Sequence, residues 1–102
     1  SWSALILLVL ATGTYRYATL KRVIASLSAE GDISQRMLTL RLRALERDGF
    51  VMRHQHSDMV PPRVDYTLTP LGDALTAKLQ GLIAWIETNA DAIETARARF
   101  TD

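Results

Sequence analysis

Residues 34–51 read Ser34-Gln35-Arg36-Met37-Leu38-Thr39-Leu40-Arg41-Leu42-Arg43-Ala44-Leu45-Glu46-Arg47-Asp48-Gly49-Phe50-Val51, and their periodicity decides the fold. Leu38, Leu42 and Leu45 recur at the period of one helix face, so the segment is an amphipathic helix over about 34–48 with that stripe turned inward. Ser34 is a good N-cap because its hydroxyl accepts from an unsatisfied N–H of the first turn, and Gly49 closes the helix with a residue that tolerates a left-handed backbone. With Leu38 at zero and about 100° per residue, Thr39 falls near 100°, Arg43 near 140°, Arg36 near 160°, Arg47 near 180° and Leu40 near 200°. The face opposite the leucines therefore carries three arginines.

Upstream, Leu5, Ile6, Val9 and Leu10 mark a first helix over about 1–12 that ends at Thr12-Gly13. Thr14-Tyr15-Arg16 is a short β-prone stretch. Leu20, Val23, Ile24 and Leu27 then mark a second amphipathic helix with Lys21 and Arg22 on its other side, followed by a turn over Ser28-Ala29-Glu30-Gly31-Asp32. Downstream, Phe50–Ser57 and Arg63–Thr69 are strand-like, and Asp58-Met59-Val60-Pro61-Pro62 between them makes a hairpin with a stiffened tip. Thr69-Pro70 supplies an N-cap and a proline at the first helical position, opening a helix with Leu71, Leu75, Leu79, Leu82 and Ile86. Continued unbroken to about residue 96 it is roughly 40 Å long, and its dimerisation role is assigned over about 70–98.

This order predicts a mainly α fold with a small β-hairpin: one winged helix-turn-helix domain over 1–102, with a long C-terminal dimerisation helix. A chain of 102 residues has room for one such core, and 48% hydrophobic residues suffice to build it. The absence of cysteine removes disulfides, thiolate nucleophiles and cysteine-ligated metals, and fits a cytoplasmic protein. The longest apolar run, Ala4–Ala11, falls far short of the roughly 20 residues that span a bilayer, so no membrane partner is expected. Neither an internal repeat nor a linker suggests a second domain.

The net charge of +1 conceals a dipole along the chain. Residues 1–63 hold nine Arg and Lys against five acids, a net +4, whereas residues 64–102 hold three against six, a net −3. The basic part suits a polyanion. On the third helix Arg36, Thr39, Leu40 and Arg43 are placed to read base edges, since arginine matches guanine and an apolar side chain matches the thymine methyl. Ser34, Gln35, Arg41 and Arg47, with Lys21 and Arg22 of the second helix, are assigned to phosphates. Arg53 and Arg63 flank the proline-stiffened tip, so both are expected to project from the same end of a two-stranded wing toward the DNA backbone or a minor groove. A solvated arginine face on a protein-interaction or dimerisation module is the competing reading.

Other chemistry finds little support. His54 and His56 share a strand face with Asp58 nearby, but with no convincing third ligand they read as surface residues rather than a metal site. Without a Gly-rich phosphate loop, a nucleophile elbow or an HExxH helix, neither an enzyme nor a bound cofactor is expected. Trp2 at the chain start, and Leu79, Leu82, Trp85 and Ile86 on the final helix, are assigned to a homodimer interface, with a small-molecule effector at that interface as a secondary expectation.

The string Ile33 through Val51 resembles the recognition helix of the HxlR-type winged helix-turn-helix transcriptional regulators, within the MarR-like superfamily. Val60-Pro61-Pro62-Arg63-Val64-Asp65-Tyr66-Thr67-Leu68-Thr69-Pro70-Leu71-Gly72 is similar to that family's wing, second strand and final-helix start. Trp2-Ser3 with Ile6-Leu7, Arg16-Tyr17 and Leu20-Lys21-Arg22 resemble its first two helices, and Trp85 falls where tryptophan is frequent. The resemblance implies a bacterial, cytoplasmic, homodimeric regulator that places two recognition helices in successive major grooves of a near-palindromic operator. Departures are Ala18 where the family usually has a capping serine, a longer connection between Arg22 and Ile33, and apolar Leu40 at a position usually polar. A regulatory cysteine found in some relatives has no counterpart in these 102 residues.

Overall fold

The computed structural model describes residues 1–29 and 31–100, and its elements run α1 (Trp2–Leu10), β1 (Tyr15–Arg16), α2 (Tyr17–Leu27), α3 (Gln35–Arg47), β2 (Val51–His56), β3 (Arg63–Leu68), α4 (Pro70–Thr88) and α5 (Ala90–Arg99). Glu30, read above as part of a turn, lies outside the described residues. The α3 capping residues behave as their chemistry dictates. Ser34 Oγ accepts from the Met37 N–H at 3.1 Å, and Gly49 has φ +84°. At the head of α4, Thr69 Oγ1 accepts from the Gly72 N–H at 3.0 Å, with Pro70 leading the helix.

The core is the meeting point of the stripes: Ile6, Leu7 and Leu10 of α1, Leu20 and Ile24 of α2, Leu38, Leu42 and Leu45 of α3, with Ile33, Val51 and Tyr66 closing it. Leu38 and Ile24 have no exposed surface, and truncating either to alanine is worth about 2–5 kcal/mol of stability. Buried Ile33 and an ion pair between Lys21 Nζ and Asp32 at 3.2 Å anchor the connection from α2 to α3, so the longer link still delivers α3 onto the core.

The β-prone stretch before α2 pairs with the hairpin, giving an antiparallel three-stranded sheet in the order β1-β3-β2. Tyr15 opposes Tyr66 and Arg16 opposes Asp65, while Val51 through His56 oppose Leu68 through Arg63. Arg16 occupies the N-cap of α2 without a side-chain hydrogen bond. Ala18 is therefore inside the first turn rather than at the cap, and the loss of a capping serine does not arise there.

The expectation of one unbroken final helix is corrected at Asn89. Its side-chain amide donates to the Trp85 carbonyl at 2.8 Å and its backbone N–H reaches the same oxygen at 3.0 Å, so the asparagine ends α4. The Asn89 carbonyl in turn accepts from Ile93, opening α5. Asparagine disfavours helix interiors because its amide competes for backbone partners in this way. Within α4 only Gly72 and Thr76 are buried and within α5 nothing is, so the C-terminal helices extend away from the core and the molecule reaches 62 Å along its longest axis.

Candidate nucleic-acid interface

Burial of Leu38, Leu42 and Leu45 turns the other side of α3 outward, and Gln35, Arg36, Thr39, Leu40, Arg41, Arg43 and Arg47 are all exposed. Among the described residues, no partner engages the guanidinium groups of Arg36, Arg41 or Arg43, and the same holds for Arg22 on α2. Leu40, 51% exposed, is an apolar side chain held in water among cations. Desolvating it against an apolar groove wall is favourable.

Other assigned cations are already occupied. Arg47 donates to the neighbouring Asp48 carboxylate, Nε to Oδ1 at 3.0 Å. That hydrogen bond holds the Asp48 carboxyl below the usual carboxylate range and raises Arg47 above its ordinary value. Lys21 is tied to Asp32, and Arg53 donates to Gln55 Oε1 at 3.3 Å. The Ser34 hydroxyl serves the α3 cap, which leaves it a secondary contact at most.

The wing departs from its expected geometry. Cross-strand partners share a sheet face, so Arg53, opposite Tyr66, points to one face, while Arg63, opposite His56, points with Asp65 to the other. The two arginines therefore do not project together. Arg63 stands at the tip end of β3, its Nε 3.2 Å from Asp65 Oδ1 at ion-pair distance without hydrogen-bond alignment. Asp65 is buried, so the Arg63 guanidinium supplies its counter-charge, while His56 Nε2 lies 3.0 Å from Oδ2 at hydrogen-bond distance. His54 turns to Thr67 Oγ1 at 3.2 Å instead.

One residue of the site was missed by sequence reasoning. Tyr17, the first residue of α2, donates its hydroxyl to the Gln35 carbonyl at 3.0 Å and lies 3.2 Å from Thr39 Oγ1, so it seats the start of α3 on α2. The only sequence signal was an aromatic beside Arg16, which fits equally well with simple core packing. Of the assigned interface residues, Trp2 is half-buried against the core and Leu79 is half-buried, whereas Leu82, Trp85 and Ile86 are exposed on the far half of α4.

An amphipathic helix held after a second helix, with Arg36 and Arg43 unpaired among the described residues on its outward side, and followed by a β-ribbon, defines a winged helix-turn-helix of MarR-like architecture. Residues 1–94 match the HxlR-like helix-turn-helix family, and the chain belongs to that family. It is 42% identical over 96 residues to the HTH-type transcriptional regulator YtfH of Escherichia coli (strain K12), covering 94% of this chain and 71% of that relative. The solved structure of the transcriptional regulator YtfH from Salmonella typhimurium superposes with a TM-score of 0.72 at 40% identity, over 96% of this chain and 81% of that one. A MarR-family transcriptional regulator from Enterococcus faecalis V583 gives 0.72 at 44% identity, over 89% and 74%. The chain is thus a transcriptional regulator of helix-turn-helix fold. Among the described residues, no helix is long and apolar enough to cross a membrane.

Proposed function

We propose that this regulator binds duplex DNA sequence-specifically as a homodimer, with α3 of each protomer in the major groove of a near-palindromic operator. The observation that carries this reading is the exposed side of α3, where Arg36 and Arg43 at its centre and Arg41 on its flank have no partner among the described residues. Free guanidinium groups on a rigid helix match base edges and phosphates without first breaking an ion pair. Arg36, Thr39, Leu40 and Arg43 read bases. Gln35, Arg41 and Arg22 hold phosphates directly, while Arg47, Lys21 and Arg63 do so only by sharing their charge with Asp48, Asp32 and Asp65. Arg53 and the wing tip approach the flanking backbone.

Dimerisation through α1 and the α4–α5 arm places the two reading helices one turn of DNA apart, at about 34–36 Å. An apolar hollow of about 410 Å³ between α1 and α2, lined by Leu5, Leu8, Val9, Tyr15, Val23 and Leu27, is the place for a small-molecule effector beside that interface. The test is fluorescence anisotropy against duplex from upstream of the protein's own gene and a scrambled duplex at about 50 and 200 mM salt. Selective binding that weakens steeply with salt is expected. Binding that ignores salt, or none at low salt, would move the reading to a protein-interaction module.

A further inference from the structure

Thr39 stands on the exposed flank of α3, and the backbone carbonyl one helical turn before it is that of Gln35. A helical threonine ordinarily either turns its proton onto that carbonyl or leaves the hydroxyl free to rotate, and a free hydroxyl serves a base edge as donor or acceptor. Tyr17 changes this. Its hydroxyl donates to the Gln35 carbonyl at 3.0 Å and lies 3.2 Å from Thr39 Oγ1. A phenol has one proton, and a carbonyl oxygen only accepts. Tyr17 spends its proton on Gln35, so the second bond runs the other way, with Thr39 donating and Tyr17 accepting. The single proton of Thr39 is thereby turned inward, and only lone pairs remain on the outer side of its oxygen.

Resting on the reading of α3 as a major-groove helix, we infer that Tyr17 makes Thr39 an acceptor-only contact, which selects a base presenting an amino donor, adenine or cytosine, over guanine or thymine. The major-groove edges of adenine and cytosine carry N6 and N4 amino groups, whereas guanine offers N7 and O6 and thymine offers O4, all acceptors. Tyr17 acts as a positioning residue: it sets the direction of a proton 22 residues away without itself touching a base. Its ring packs against the core, so Tyr17→Phe removes the hydroxyl and keeps the packing.

The experiment selects bound sequences from a randomised duplex library with the parent protein, Thr39→Val and Tyr17→Phe, after thermal melts establish that each variant is folded. The parent is expected to enrich a motif in which one position per half-site is adenine or cytosine, and Thr39→Val should erase preference at that position alone. Tyr17→Phe returns Thr39 to the choice open to any helical threonine, its proton shared between the freed Gln35 carbonyl and the groove, so the rest of the motif and its spacing should stay while discrimination at that position falls at least about twofold. A guanine or thymine at the Thr39-dependent position overturns the inference from the parent and Thr39→Val alone. So does a Tyr17→Phe motif identical to the parent's. A parent motif that Thr39→Val leaves untouched sinks the inference while DNA reading stands; a parent that enriches no motif sinks both.

Discussion

The α-carbon of Gly72 lies against the carbonyl of Phe50 so closely that a β-carbon there would overlap the oxygen. The same carbonyl accepts from the Thr69 N–H at 3.1 Å, so the junction of α3 with β2 and the start of α4 are locked through backbone atoms. Backbone held by a hydrogen bond cannot swing aside as a side chain would. Gly72→Ala should therefore cost about 2–3 kcal/mol and lower the melting temperature by roughly 10 °C or more. A calorimetric or circular-dichroism melt within about 2 °C of the parent would contradict this packing.

Arg43 and Arg63 should fail differently when replaced. Arg43 is exposed and free of described partners, so Arg43→Ala should leave the melt unchanged, weaken operator binding by about 1–3 kcal/mol and relax preference at one base position. Arg63 is 30% exposed and compensates buried Asp65. Arg63→Ala should weaken all duplexes alike and also cost about 1–2 kcal/mol of stability, less than a fully buried pair because solvent screens it. Anisotropy on specific and scrambled duplexes, beside thermal melts, separates the two, and equal losses on both duplexes for Arg43→Ala would remove it from base reading.

Local chemistry was legible where one segment contains its own reasons. The leucine stripe of α3, its Ser34 and Gly49 ends, and the Thr69-Pro70 start of α4 all follow from neighbours within one or two turns. The family resemblance pointed to the same fold. What escaped depends on tertiary register. The faces of Arg53 and Arg63 are set by the pairing of residues across a six-residue tip, which residue patterns do not specify. Burial of Asp65 becomes plausible only once His56 and Arg63 are known to surround it, and the Tyr17 clamp spans two helices. The break at Asn89 carried a signal, an amide-bearing residue in a helical run, but apolar spacing on both sides masked it.

If Arg47 holds a phosphate as proposed, Asp48, which pairs with it at 3.0 Å, competes with the DNA for its guanidinium. Replacing it by asparagine should free the guanidinium, raise affinity for any duplex and steepen the plot of log K against log salt by up to about 0.9, one phosphate's worth. Acid should act in the same direction on the parent. The folded-state carboxyl is depressed, so its pairing supports the fold above the ordinary carboxylate range and is lost as pH falls through the depressed value. Parent and Asp48→Asn should therefore converge in affinity toward that acidic limit. A constant ratio across the pH series would show that Asp48 does not restrain Arg47.

The α4–α5 arm tests the dimer. Leu82 and Trp85 are 55% and 59% exposed on the half of α4 that has left the core, and Phe100 at the end of α5 is 75% exposed. Helix α5 has ten residues and buries none of them. Isolated helices shorter than about 12–15 residues are marginal in water, so α5 needs a surface to pack on. In the proposed homodimer a second copy would supply one with the same apolar side chains, and linking two half-site contacts would raise affinity by about 10²–10⁴ without any new DNA contact. Leu82→Ser with Trp85→Ser should convert the protein from two chains to one by light scattering, reduce helix content and weaken operator binding by at least about a hundredfold. The core lies elsewhere, so the rest of the domain should still melt cooperatively. A variant that remains dimeric would place the interface elsewhere, and a monomeric parent at micromolar concentration would remove the dimer altogether.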